Sequence, residues 1–288
     1  MRTLLVVAAC SLVACATEPT ESSSDDDLKS SNLISSNLIS SNLISSNLIS
    51  SNLISSNLIS SNELEINELT TKALVGTADG RLLLSFVIGC AIPADVTLVA
   101  YDTGAPDSAP PATPYTCEHG TCSFDGSVGL APEWLHHPLD ADGRGWVSAC
   151  MFSRVNGFGL PEEISLRGAN HALVVSRSEA QAYSVQEGAF YGDMFDGPGH
   201  LVWIACEGDG QRDGVSGELV DRECARPDPA NPGKTLCGFT YAGWCSDGGD
   251  RRAAHACDRE HDGWYDECDD GDGHGHGFAQ VITTYVTP

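Results

Sequence analysis

Apolar positions fall into three regimes along the 288 residues: an uncharged run at the start, a strict five-residue cycle, and a long stretch of short apolar runs broken by Gly, Pro and Asp. The last regime supplies most of the predicted elements. Residues 80–90, with Leu82, Leu83, Leu84, Phe86, Val87 and Ile88, read as a helix that is apolar on most faces and therefore buried, capped by Asp79 and stopped by Pro93. Strand-like runs follow at 96–101 and 121–128, the second alternating ahead of the turn Gly129-Leu130-Ala131-Pro132. A second helix is expected over 145–155, ending at Asn156-Gly157. A third starts from the weak capping box of Ser178 and Gln181 and runs to about Glu187. Further strands are expected at 164–167, 173–175, 200–205 and 280–286. Helices and strands mix without regular βαβ alternation. The fold class is therefore α+β, a single disulfide-rich mixed domain over residues 72–288 preceded by a low-complexity repeat tether.

The five-residue cycle is SSNLI, present six times from Ser30 to Ile59 and once more in degenerate form at Ser60-Ser61-Asn62-Glu63-Leu64. In a strand an odd period throws successive leucines onto opposite faces, and in a helix it rotates them by about 140°, so neither element gathers an apolar stripe. A coil that turns a corner every five residues does gather one. The unit Ser-Asn-Leu-Ile-Ser resembles the pentapeptide-repeat family, whose square β-solenoid points its central Leu inward, but six copies fall short of the stack such solenoids need. Residues 30–71 are thus read as a repeat spacer behind a polar, acidic linker at 15–29. A short docked solenoid and a self-associating cross-β segment stand as alternatives.

Residues 1–14 begin with the charge of Arg2, pass through the apolar stretch 4–9 and end in small residues, the layout of a secretory signal. Leu12-Val13-Ala14-Cys15 resembles the lipobox of bacterial lipoproteins. That resemblance implies a lipid on Cys15 and a membrane anchor. With Ala16 rather than Asp next, it implies delivery to the outer membrane of a Gram-negative cell, on either face. No later apolar run approaches the length of a span.

Charge and cysteine content sharpen this picture. A net charge of −25 excludes a nucleic-acid binder, because every phosphate contact would meet like-charge repulsion. Of the 12 cysteines, Cys10 falls within the signal and Cys15 carries the lipid. The rest are Cys90, Cys117, Cys122, Cys150, Cys206, Cys224, Cys237, Cys245, Cys257 and Cys268, an even set. Export makes disulfides their default state, and the absence of C-x-x-C removes the usual zinc-ribbon and thioredoxin readings. The pairing stays open, with Cys117–Cys122 and Cys257–Cys268 as candidate local bonds.

The blocks Gly129-Leu130-Ala131-Pro132-Glu133-Trp134, Trp146-Val147-Ser148-Ala149-Cys150, Ser165-Leu166-Arg167-Gly168 and Glu187-Gly188-Ala189-Phe190-Tyr191-Gly192 resemble those of a group of uncharacterised secreted bacterial proteins and lipoproteins. That resemblance implies one cysteine-rich domain and carries no activity with it.

Candidate chemistry concentrates in residues 247–277, rich in Asp, Gly and His. Asp258, Glu260, Asp262, Gly263, Asp266 and Asp269 reproduce the spacing of an EF-hand loop, in which alternate oxygens on a tight turn converge on Ca2+. Cys257 and Cys268 at its ends, an Asp at the last position and no following helix point instead to a solvated acidic loop closed by a disulfide. His274 and His276 alternate and would face one side with Asp270 or Asp272, but glycines surround them. His136-His137, His171 and His200 read as loop or strand-border residues. Neither G-x-S-x-G, S-x-x-K, H-E-x-x-H nor a P-loop occurs. The five tryptophans read mainly as core. The expectation is a cell-envelope lipoprotein whose domain serves a protein or envelope-component partner as a binding module. A metal-dependent hydrolase using the acidic His-rich region, and a structural protein self-associating through the repeat, are the alternatives.

Overall fold

A computed structural model of the chain describes residues 73–101, 114–155, 163–195, 202–209, 224–246, 255–257, 260–261, 263–270 and 277–288. The signal, Cys15, the linker and the SSNLI array lie outside the described residues. So do Asp258, Asp262, His200, His274 and His276.

The chain builds an α+β domain with two helices between two sheets. After a single turn, α1 (Ala73–Gly76), comes α2 (Ala78–Ala91), buried along most of its length as its composition predicts. Its cap is Thr77 rather than Asp79: the Thr77 side chain accepts from Gly80 N at 3.0 Å, and Asp79 sits in the first turn, where a negative charge faces the helix's positive end. Ile92 is extended ahead of Pro93, which ends the helix as expected. The last carbonyls of α2 do not go unsatisfied. Val128, Leu130 and Ala131 donate to Gly89, Cys90 and Ala91 at 2.8–3.1 Å, which is why the Gly-Leu-Ala-Pro turn lies where it does. Gly126 lets the chain in, since a Cβ there would sit 2.1 Å from the Pro93 carbonyl oxygen.

The smaller sheet is antiparallel, ordered β1-β3-β2, from β1 (Thr97–Ala100), β2 (Tyr115–Glu118) and β3 (Thr121–Asp125). β2 is absent from the sequence expectation because four residues are too few to display a period. It joins β3 through a two-residue turn, His119-Gly120, with both φ positive at 52° and 76°. Cys117 and Cys122 face each other across it and are bonded.

Helix α3 (Ala141–Ser153) begins four residues before the expected start and ends two before the expected end. Asp140 caps it, accepting from Gly143 N at 2.9 Å. Gly143 and Gly145 lower local helix propensity and mask the true start, whereas packing wants them small: a Cβ on Gly145 would lie 2.8 Å from the Gln280 side chain. The Cys90–Cys150 disulfide ties α2 to α3. Arg154, just past the end of α3, is buried with its guanidinium 4.8 Å from the Phe86 ring, and that burial pulls its pKa well down.

The larger sheet is ordered β4-β10-β5-β6-β7, from β4 (Ser165–Arg167), β5 (Val185–Asp193), β6 (Val202–Glu207), β7 (Thr240–Trp244) and β10 (Ile282–Val286). It is antiparallel except for the β6–β7 pair. Two expectations fail between β4 and β5. The strand expected at 173–175 is replaced by a 3-10 turn, His171–Leu173, capped by Asn170. The third helix, α4 (Arg177–Ala182), is capped by Ser176 rather than Ser178 and stops at Tyr183, and the stretch expected to continue it as helix to Glu187 is instead the start of β5. β5 is the central strand and is buried on both faces, so no alternation advertises it.

Helix α3 lies against β5 and β10, and α2 lies between α3 and the smaller sheet. Phe190, Ala205, Ile282 and Val286 of the larger sheet join Phe86, Val87, Val147, Met151 and Phe152 of the helices in the main core. Trp134 and Trp146 belong to it, and Trp203 packs from its border. The opposite face carries a smaller cluster of Ala189, Tyr191, Ile204, Cys206 and Val281 beneath Cys245, Ala256, Cys257, Tyr265 and Cys268. No helix among the described residues is long and apolar enough to cross a membrane.

Candidate functional site

The second face of the larger sheet is covered by the acidic segment that the sequence singles out. Its visible frame is a hairpin, β8 (Glu260–His261) and β9 (Trp264–Tyr265), paired Glu260 with Tyr265 and His261 with Trp264. Gly263, directly ahead of β9, has φ +86°. Glycine adopts that left-handed conformation without strain, and here it leads into a strand paired antiparallel with β8. Cys257 and Cys268 flank this hairpin, bridge as neighbouring antiparallel residues and are bonded.

Of the EF-hand set, Glu260 lies on β8 opposite Tyr265, and Asp266 and Asp269 follow β9 as partly buried residues. Asp269 is held by its backbone. Its N–H donates to the Ala256 carbonyl at 2.7 Å, and its carbonyl accepts from the Tyr191 hydroxyl at 2.6 Å. Burial, with Asp269 and Asp270 close by, pushes the Tyr191 phenol far up, so it stays a donor. Among the described residues, the metal-ligating side chains whose donor atoms converge are Cys206, Cys245 and Cys257. All three are spent in disulfides and offer no thiolate.

Beneath the hairpin runs a polar chain that nothing in the sequence reading anticipates. Arg167 of β4 places its guanidinium 3.4 Å from the centroid of the Tyr285 ring on β10 and donates to the Tyr183 carbonyl at 2.5 Å. Burial pulls the Arg167 pKa down, while Tyr285 and Glu179 act in the opposite direction. The Tyr285 hydroxyl accepts from Gln186 Nε2 at 3.0 Å. Gln186 Oε1 in turn accepts from the Tyr265 hydroxyl at 2.9 Å and from Asp209 N at 3.0 Å. Gly263 closes over the top, where a Cβ would lie 3.2 Å from the Tyr285 hydroxyl and 3.3 Å from the guanidinium. At the edge of the chain, Ser165 Oγ donates to Glu179 Oε1 at 2.9 Å.

Glu187 sits where the register between β5 and β10 shifts, fully buried. Its carboxylate accepts from Thr284 Oγ1 at 2.8 Å and from Cys224 N at 3.2 Å. On β6, Glu207 accepts from the Tyr241 hydroxyl at 3.1 Å. Each of these groups is bonded to another part of the fold, so the arrangement joins α4, the sheet and the hairpin. The five histidines whose side chains are described, His119, His136, His137, His171 and His255, are all exposed, and none enters this buried chain. The one sequence signal for the network is Arg167 inside the strand-like run 164–167, since a charge there must find a buried partner.

Comparison with protein-family models, with curated proteins and with solved structures finds no match to this chain.

Proposed function

We propose that the protein is a lipid-anchored component of the bacterial cell envelope whose disulfide-braced domain is a binding module, held off the membrane by the SSNLI spacer. The observation that carries this reading is the cysteine inventory: all ten cysteines after Cys15 pair within the domain. Such a set suits a chain that folds in an oxidising compartment and leaves Cys15 for the lipid. The buried polar groups beneath the hairpin are engaged with one another, which favours a rigid platform over a reacting centre. A strongly negative domain selects a partner with exposed amines and repels nucleic acid.

Labelled palmitate fed to expressing cells tests the anchor. Label should enter the chain and vanish in Cys15→Ser, with the variant leaving the membrane fraction. An unlabelled, unanchored wild type would sink the reading. A zero-length carbodiimide, which joins carboxylates to amines, tests the partner. A discrete heavier adduct is expected on intact cells, and monomer alone would argue against a binding module.

A further inference from the structure

Two disulfides meet under the hairpin. Cys206 Sγ lies 3.6 Å from Cys257 Sγ, although the two atoms belong to different bonds, Cys206–Cys245 and Cys257–Cys268. The sulfurs of Cys206, Cys245 and Cys257 all fall within 4.8 Å of one another, and all four cysteines are buried. Main-chain hydrogen bonds hold them there independently of the sulfurs. Cys245 N donates to the Glu207 carbonyl at 2.9 Å, and Cys257 N donates to the Cys245 carbonyl at 3.0 Å. Losing one disulfide therefore leaves its sulfurs beside the other.

Exchange between a thiol and a disulfide needs a thiolate within reach of a disulfide sulfur. We propose that these four cysteines form a thiol–disulfide exchange site for a dithiol reductant, in which reduction of either bond leads to one product, a Cys206–Cys257 disulfide with Cys245 and Cys268 as thiols. One thiolate of the dithiol attacks a sulfur of Cys257–Cys268, forming a mixed disulfide and expelling the other cysteine. The second thiol of the reductant then closes its own disulfide, so the reductant loses two electrons and Cys257 and Cys268 gain them. The Cys257 thiolate next attacks Cys206 Sγ. The Cys206–Cys257 bond forms, the Cys206–Cys245 bond breaks, and Cys245 leaves as a thiolate that takes a proton from solvent. If Cys206–Cys245 is reduced first, the Cys206 thiolate attacks Cys257 Sγ and Cys268 leaves. The exchange step needs no further reductant. It replaces one bond within the sheet end and one within the hairpin segment by a single bond that ties β6 to the hairpin segment directly.

The test uses the full oxidised chain, graded dithiothreitol, an acid quench, maleimide labelling and peptide mapping without reduction. Among molecules that have lost one bond of the quartet, the Cys206–Cys257 linkage with labelled Cys245 and Cys268 should exceed any other non-native pair, such as Cys206–Cys224, by about tenfold, because proximity selects the partner. Cys268→Ser should give a mixture of Cys206–Cys245 and Cys206–Cys257 forms, with Cys245 labelled in the second. Cys122→Ser, which frees Cys117 on the distant hairpin, should leave the quartet in its native bonds. The proposal is overturned if the partially reduced chain holds native bonds alone, or if Cys206–Cys257 is no commoner than Cys206–Cys224. Should Cys268→Ser fail to fold, the partially reduced wild type decides the matter.

Discussion

The two faces of the larger sheet are held by different means. On the helix side, Phe190, Ala205, Ile282 and Val286 meet two buried helices, and Phe239 lies among Phe152, Phe190 and Trp203 with ring centroids 5.4–5.9 Å apart. Cys90–Cys150 supplements that packing by joining the helices, and Cys117–Cys122 and Cys224–Cys237 also have both cysteines in this core. On the hairpin side the covering segment is short, acidic and rich in glycine, and its apolar cluster is small. There the work is done by two disulfides and a chain of buried hydrogen bonds. Where a segment has too little apolar surface to bury, covalent closure and buried polar contacts carry a larger share.

The sharpest way to break this contrast is to strike the helix side at its centre. Phe239→Ala should lose about 3–5 kcal/mol in urea unfolding with disulfides intact, because it opens a cavity among three rings. A loss under about 1 kcal/mol would mean that the helix side is not the main store of stability. Next in size is the hairpin side's own staple. The double variant Cys257→Ser with Cys268→Ser should lose about 2–4 kcal/mol by releasing a short loop, yet retain the helix-side core by near-ultraviolet circular dichroism.

A smaller effect separates the faces by pH. The Tyr191 phenol is raised above its ordinary 10.0 by burial first and by Asp269 and Asp270 after it. The unfolded chain therefore ionises this group first. Its contribution is whole below pH 10 and falls as pH rises further, by about 1.4 kcal/mol per unit, until the folded phenol itself ionises. Comparing wild type with Tyr191→Phe in urea at pH 9 and pH 11 checks this, since the variant should lose less between the two. Smallest is the cap of α3. Asp140→Ala should lose about 1 kcal/mol, read from the same unfolding curves.

Legibility in the sequence followed the same division. The interior of α2, the stop at Pro93, β3 and β10 were readable because a single environment governs each: buried helix, or strand with one partner on each side. β5 was misread at its start because both of its faces are buried and a weak capping box lay just upstream. The true cap, Ser176, accepts from Glu179 N at 3.1 Å, while Ser178 hydrogen-bonds Ser176. The local pairs Cys117–Cys122 and Cys257–Cys268 were legible from their short separation, whereas Cys206–Cys245 and Cys90–Cys150 depend on tertiary neighbours that spacing does not encode. The polar chain through Arg167, Tyr285, Gln186 and Tyr265 was invisible for the same reason, since its members come from four separate strands.

The margins of the larger sheet also bear on how this chain behaves in company. β4, at one margin, is three residues long and wholly buried under the segment around α4, to which Arg167 and Ser165 are hydrogen-bonded. β7, at the other, runs five residues, shifts register against β6 and contains Gly243 at φ +94°. Neither rim offers a long flat ribbon on which another chain could add a strand. Crowded together, these domains are poor templates for strand-by-strand growth, and a fibre made by this protein should nucleate outside the larger sheet.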